Sequence, residues 1–191
     1  MPKIVDIAAR RTQLTDAAAR VIARSGIEAA TMREVAAEAG WTTGALTHYF
    51  TDKRTLLLAT FEASLASRRA RRPSGTSMTP AERLRAAIEG ALPVDGDRRR
   101  HWLVTLTFCT QASNDDQLAA AQRDAYREFR AHVTELVIAS QLAAGNEAQL
   151  LAERLIASAN GIATQALFDP ASWPPRRQHT ALEATLAPLG I

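Results

Sequence analysis

An all-α fold of about nine helices in two modules is predicted for this 191-residue chain. Three observations carry the prediction. Aromatics make up only 5% of the residues, alanine is abundant and 21 of the 23 basic residues are Arg, a mixture that favours helix over strand. Apolar residues recur at three- and four-residue spacing through most of the chain. Cap-forming Ser, Thr and Asp precede those runs, and Gly or Pro follows them. With 47% hydrophobic and 23% charged residues, the composition is that of a globular protein, and a chain of this size buries roughly 70% of its unfolded surface. Cys109 stands alone, so an intramolecular disulfide is excluded and a reducing, cytoplasmic setting is expected. No stretch approaches the roughly 20 apolar residues of a membrane span. Lys3, Asp6, Arg10 and Arg11 leave no apolar signal core at the start.

The elements follow in order. Leu14, Ala17, Ala18, Val21 and Ile22 mark a first helix that stops at Gly26. Thr31-Met-Arg-Glu34 has the form of a capping box, so a second helix starts at Met32, buries Val35, Ala36 and Ala39, and ends before Gly40. Thr42 or Thr43 caps a short third helix, and Thr51-Asp52 caps a fourth from Lys53 to about Arg72. Pro73 to Pro80 is a run of turn-formers, which places the boundary between the modules: 1–72 and 73–191. Thr79 caps a fifth helix from Pro80 to about Leu92. The run from His101 to Ala112 is apolar nearly all round and is expected at the centre of the second module. A long helix capped by 114–116 should turn Leu118, Tyr126, Phe129, Val133, Leu136 and Val137 inward and end at Gly145. Two more cover Asn146–Phe168 and about Arg176–Leu186.

Charge is unevenly divided. Residues 1–72 hold 12 Lys and Arg against 7 Asp and Glu, a net +5, while residues 73–191 carry −2. A basic excess often means only a solvated face, but a small basic module joined to a near-neutral one is also how a nucleic-acid reader is built. Residues 31–50 tip the balance. A helix-turn-helix needs a small residue where its helices cross, here Ala36, and a residue tolerant of positive φ in its turn, here Gly40. Val35, Ala39, Trp41 and Leu46 would lock the pair onto the first helix. Thr42, Thr43, Ala45, Thr47 and His48 would then face a major groove, where hydroxyls, a methyl and an imidazole can meet bases or phosphates. The rival reading is an ordinary αα-corner.

The stretch Gly26-Ile-Glu-Ala-Ala-Thr-Met-Arg-Glu-Val-Ala-Ala-Glu-Ala-Gly-Trp-Thr-Thr-Gly-Ala-Leu-Thr-His-Tyr-Phe-Thr-Asp-Lys-Arg-Thr-Leu-Leu57 resembles the DNA-binding domain of TetR-family repressors, and the likeness spans about residues 10–60. It implies a homodimer whose third helix reads double-stranded operator DNA, with Tyr49 and Lys53 on phosphates. The candidate DNA-binding residues are therefore Arg33, Thr42, Thr43, Gly44, Ala45, Thr47, His48, Tyr49 and Lys53. Lys53 would also open the fourth helix, whose N-terminus attracts anions. Trp41 and Thr47 depart from the family pattern, which usually has a small aliphatic and often a Tyr there. Lys3, Arg10 and Arg11 either form an arm reaching DNA or stay disordered. Arg68, Arg69, Arg71 and Arg72 lie roughly 25 Å along the fourth helix from Lys53 and read as cations complementing its C-terminal dipole.

Six of the ten aromatics fall after residue 73, interleaved with Thr105, Thr107, Thr110, Gln111, Asn160 and Gln165. These are core packing or the lining of a small-molecule effector site. Trp102 to Asn114, Phe168-Asp-Pro and Trp173-Pro-Pro are similar to the choline-responsive branch of the family, which suggests Trp102, Thr105, Cys109, Tyr126, Phe129 and Asn160 as ligand candidates. Ala157, Gly161, Thr164 and Phe168 form a small-residue stripe, suited either to a dimer contact or to intramolecular packing. An enzyme is not expected. His101 and Cys109 lie about 12 Å apart along one helix, and Glu128, His132 and Glu135 beside Arg127 and Arg130 read as a solvated charge lace, not a metal site. No cofactor motif is present. The expected function is a ligand-responsive repressor; the alternative is a nonspecific or architectural DNA binder.

Overall fold

The computed structural model describes residues 6–72 and 77–191. Lys3 and the first residues of the predicted linker lie outside that range. Among the described residues there are nine α-helices, a 3-10 turn at Ala187–Leu189 and no strand. The helices are α1 (Ile7–Ala29), α2 (Met32–Glu38), α3 (Thr43–Thr47), α4 (Lys53–Ala70), α5 (Pro80–Glu89), α6 (Gly96–Ala112), α7 (Asp116–Ala139), α8 (Gly145–Phe168) and α9 (Pro175–Leu186).

Two compact units emerge. One comprises the chain through Ser67 with Leu103–Gln122; the other comprises Arg68–Trp102 and Arg123–Ile191. The predicted break at 72/73 follows the turn-formers in the covalent chain, whereas compactness assigns the second half of α6 to the amino-terminal unit. The α6 run is therefore not the centre of the second module: Val104 joins the core of α1–α4, and Phe108 stacks on Phe61 with ring centroids 4.0 Å apart. Nor is it buried on most sides, since only Val104 and Phe108 are buried. Its threonines interrupt the apolar belt, so the helix packs along one narrow face.

Within the first unit Leu14, Ala17, Ala18 and Val21 of α1 meet Val35, Ala36, Leu46 and Phe50. The α1 helix breaks at Gly26, where φ 78 and ψ 177 are open essentially to glycine alone. Arg10 and Arg11 belong to α1 and not to a free arm. Asp6 caps that helix by accepting from the Ala9 N–H at 3.0 Å, so the chain is helical before either arginine.

In the second unit Leu84, Ile88 and Leu92 pack with Val133 and Val137 of α7, Ala152 and Leu155 of α8, and Leu182 and Leu186 of α9. Thr79 and Glu82 form a complete capping box, which the Thr31–Glu34 pair does not: Thr31 accepts from the Glu34 N–H at 3.1 Å, but the Glu34 carboxylate turns to Arg24 at 3.7 Å. Two further expectations are corrected. Tyr126 is exposed at 47%, although it shares the helical spacing of Phe129 and Val133, and its hydroxyl accepts from Asn160 of α8. Gly145 opens α8, and the left-handed residue that follows α7 is Gln141, with φ 58. No described helix is long and apolar enough to cross a membrane.

Candidate nucleic-acid interface

The turn between α2 and α3 is fixed by backbone geometry. Gly40 has φ 74, its N–H donates to the Ala37 carbonyl at 3.0 Å, and the Trp41 N–H donates to the Ala36 carbonyl at 2.8 Å. This crossed pair is the Schellman arrangement, which satisfies the last carbonyls of a helix and needs a left-handed residue at its centre. Thr42 then caps α3, its hydroxyl accepting from the Ala45 N–H at 3.1 Å. Leu46 is fully buried and anchors α3 to α1. Thr42, Thr43, Gly44, Thr47 and His48 are left exposed, with Ala45 and Tyr49 partly so. Thr47 donates to the Gly44 carbonyl at 2.9 Å, which fixes its rotamer while its oxygen can still accept.

Trp41 has a structural use. The Arg10 guanidinium lies 4.9 Å above its ring and Tyr49 meets it edge-on at 5.6 Å. Arg11 lies 4.3 Å above Phe50 and donates to the Tyr49 carbonyl at 2.8 Å. The two arginines expected in an arm thus brace the end of α3. Glu38 ties α2 to α1 by accepting from Arg20 at 2.7 Å and Arg24 at 2.8 Å. Those hydrogen bonds hold its carboxyl below the ordinary carboxylate range.

Lys53 is the first residue of α4, and its ammonium donates to the Ile27 carbonyl at 2.7 Å. That contact uses one of its three protons. The α4 N-terminus already has an anion, because Asp52 accepts from the Thr55 N–H at 2.7 Å and is acidified chiefly by that bond. Any phosphate there depends on the Lys53 side chain more than on the helix end. Arg33 is exposed on α2.

The six ligand candidates do not converge. The Trp102 indole donates to the Ala91 carbonyl at 2.5 Å, and Thr105 and Cys109 belong to the α6 stretch of the amino-terminal unit. Burial pushes the Cys109 thiol up, which keeps it protonated. Asn160 donates to the Tyr126 hydroxyl at 3.0 Å across a shallow hollow between α7 and α8. Phe129 lines a different cavity, with Arg68, Arg83, Arg98 and His179. Sequence reasoning did not single out Arg83, Arg98 or His179. It also read Arg68 as a helix-end cation, yet Arg68 folds inward, 4.2 Å above the Phe129 ring. The available signal was spacing: Phe61 and Arg68 share one face of α4, so Arg68 continues a buried stripe.

Known proteins share both halves. Residues 14–60 match the model of bacterial regulatory proteins of the tetR family, and residues 80–190 match that of the C-terminal domain of BetI-type transcriptional repressors. The HTH-type transcriptional regulator PksA of Bacillus subtilis (strain 168) is 30% identical over 176 residues, covering 89% of this chain and 84% of its own. The HTH-type transcriptional regulator BetI of Rhizobium meliloti (strain 1021) is 31% identical over 164 residues, covering 85% and 80%. A transcriptional regulator from Rhodococcus sp. Rha1 superposes with a TM-score of 0.84 at 29% identity, covering 94% and 95%. A regulator from Saccharomonospora viridis, solved in complex with choline, has the same fold (TM-score 0.86, 23% identity, 94% and 96% covered). An all-helical chain whose capped turn presents an exposed α3, matched along both units by these regulators, belongs to the TetR family of DNA-binding transcriptional regulators, with a BetI-type C-terminal domain.

Proposed function

We propose that the protein is a ligand-responsive repressor that binds a palindromic operator as a homodimer and leaves it when a small-molecule effector occupies the C-terminal unit. The observation that carries this reading is the exposed face of α3, held rigid by the Gly40 turn and the Thr42 cap. Thr42, Thr43, Gly44, Ala45, Thr47 and His48 read base edges and nearby backbone, while Arg33, Tyr49 and Lys53 hold phosphates. Effector binding acts through α4, whose first residue is Lys53. The dimer forms along α8, where Leu150, Ala157, Gly161 and Phe168 fall on one exposed stripe. Phe168 is 77% accessible, an exposure that a partner helix would relieve.

Selection of bound fragments from a random DNA pool at physiological salt tests the reading. An inverted repeat with half-sites about 34 Å apart is the expected product. Unenriched DNA retained only at low salt would establish the nonspecific, architectural alternative.

A further inference from the structure

We propose that the cavity lined by residues of the α4 end, α5, the start of α6, α7 and α9 binds an organic anion, a carboxylate or phosphate ester with an apolar body. The inference rests on the effector reading above and supplies the chemical class of the effector. The cavity has a volume of about 430 Å³, within the range of small-molecule sites. Its lining includes Arg68, Arg71, Arg72, Arg83 and Arg98, against one carboxylate, Glu89.

That carboxylate is committed elsewhere, accepting from Arg85 at 2.9 Å. Asp95 pairs with Arg98 at 3.2 Å. Glu128 is held by Arg69 and stands 3.6 Å from Arg72. Donors remain after these pairings. Nε of Arg68, Nε of Arg83 and Nη2 of Arg72 are buried with no hydrogen-bond partner among the described residues. A buried guanidinium donor without an acceptor is costly, and burial, then the neighbouring Arg72 and Arg69, pull the Arg68 pKa down to about 10. Five guanidinium groups around one cavity favour an anion, and the fork geometry of arginine suits carboxylate and phosphate oxygens. A quaternary ammonium has the wrong charge for this lining. Val94, Phe129 and Leu136 supply an apolar wall, which asks for more than an inorganic ion. His132 gives an independent reporter. Burial, then Arg72, hold its pKa down, with Arg68 adding to this and Glu135 and Glu128 opposing it; an anion placed among these arginines must raise it.

The test is calorimetric titration of the full-length protein at constant ionic strength with benzoate, phenyl phosphate, inorganic phosphate, benzyl alcohol and choline. Saturable binding of benzoate or phenyl phosphate is expected, weakened about tenfold to hundredfold by Arg83→Gln and unaffected by Arg127→Gln outside the cavity. The His132 ring resonances should titrate at higher pH with the anion bound. Arg83→Lys, which keeps the charge and loses the fork, should fall between parent and Arg83→Gln, and melting curves of each variant show that it is folded. Inorganic phosphate binding as tightly as phenyl phosphate would overturn the organic part of the proposal. Choline in preference to the anions, no anion binding up to about 10 mM, or equal binding by Arg83→Gln would overturn the site. Failure to select an operator would instead sink the regulatory reading and leave the titration standing.

Discussion

Gly40 and Gly44 form a matched pair that separates folding from recognition. A Cβ built at either glycine meets nothing within 4 Å, so an alanine at either position changes backbone energetics and not packing. At Gly40, with φ 74, an L-residue in the left-handed region costs about 1–2 kcal/mol. At Gly44, inside α3 and without a positive φ, Gly→Ala gains up to about 1 kcal/mol in helix propensity. For a chain of this length 1 kcal/mol moves the melting temperature by roughly 2–4 °C. Gly40→Ala should therefore melt about 2–8 °C below the parent and Gly44→Ala as much as about 4 °C above it, at matched protein concentration. The operator result should invert that order for Gly44. Its added methyl stands on the exposed α3 face and obstructs close approach to the groove, so a more stable protein should bind operator about tenfold more weakly. Circular dichroism melts and fluorescence anisotropy on the selected operator measure the two quantities. Equal destabilisation by both substitutions would refute the assigned turn, and a Gly44→Ala variant that binds like the parent would refute the assigned face.

Lys53→Ala should weaken binding to all sequences and lower the slope of log affinity against log salt by about one, whereas His48→Ala should redistribute base preference in a repeat of the selection with little change in slope. Trp41→Leu removes the edge-on Tyr49 contact and the Arg10 stack, a loss of about 1–2 kcal/mol in denaturant unfolding; an unchanged midpoint would refute that role. Because burial and Arg72 depress the pKa of His132 in the folded chain, the unfolded chain binds more protons below about pH 6.5. Its contribution is complete above that pH and is lost as pH falls, and His132→Asn should flatten the stability profile in that window. Phe168→Glu should convert dimer to monomer in light scattering while leaving the circular dichroism spectrum unchanged.

The caps and turns were legible in the sequence because their causes are local. Thr31, Thr42, Asp52 and Thr79 each bond a backbone N–H within three residues, and Gly26 and Gly40 each occupy a backbone region that side chains avoid. The α3 face was legible for the same reason: Leu46 must be buried, so Gly44, Thr47 and His48, one or two positions away, point off its face and stay exposed. Long-range partners were not. Arg11 meets the Tyr49 carbonyl across 38 positions, and a guanidinium near a chain start carries no local mark of that bond. Tyr126 read as core because an aromatic at helical spacing usually is, and only the tertiary structure leaves it half-exposed at the hollow between α7 and α8.

The sequence by itself determined an all-helical chain, the threonine and Asp52 caps, the Gly40 turn and a family of DNA-binding regulators, since short-range hydrogen bonds and apolar periodicity are set by neighbours within a turn. Tertiary structure alone decided that the second half of α6 packs with the amino-terminal helices and that Arg68, Arg72 and Arg83 converge on one cavity. The physical reason is that burying a charged group depends on which distant segments close over it, and no local preference encodes that closure.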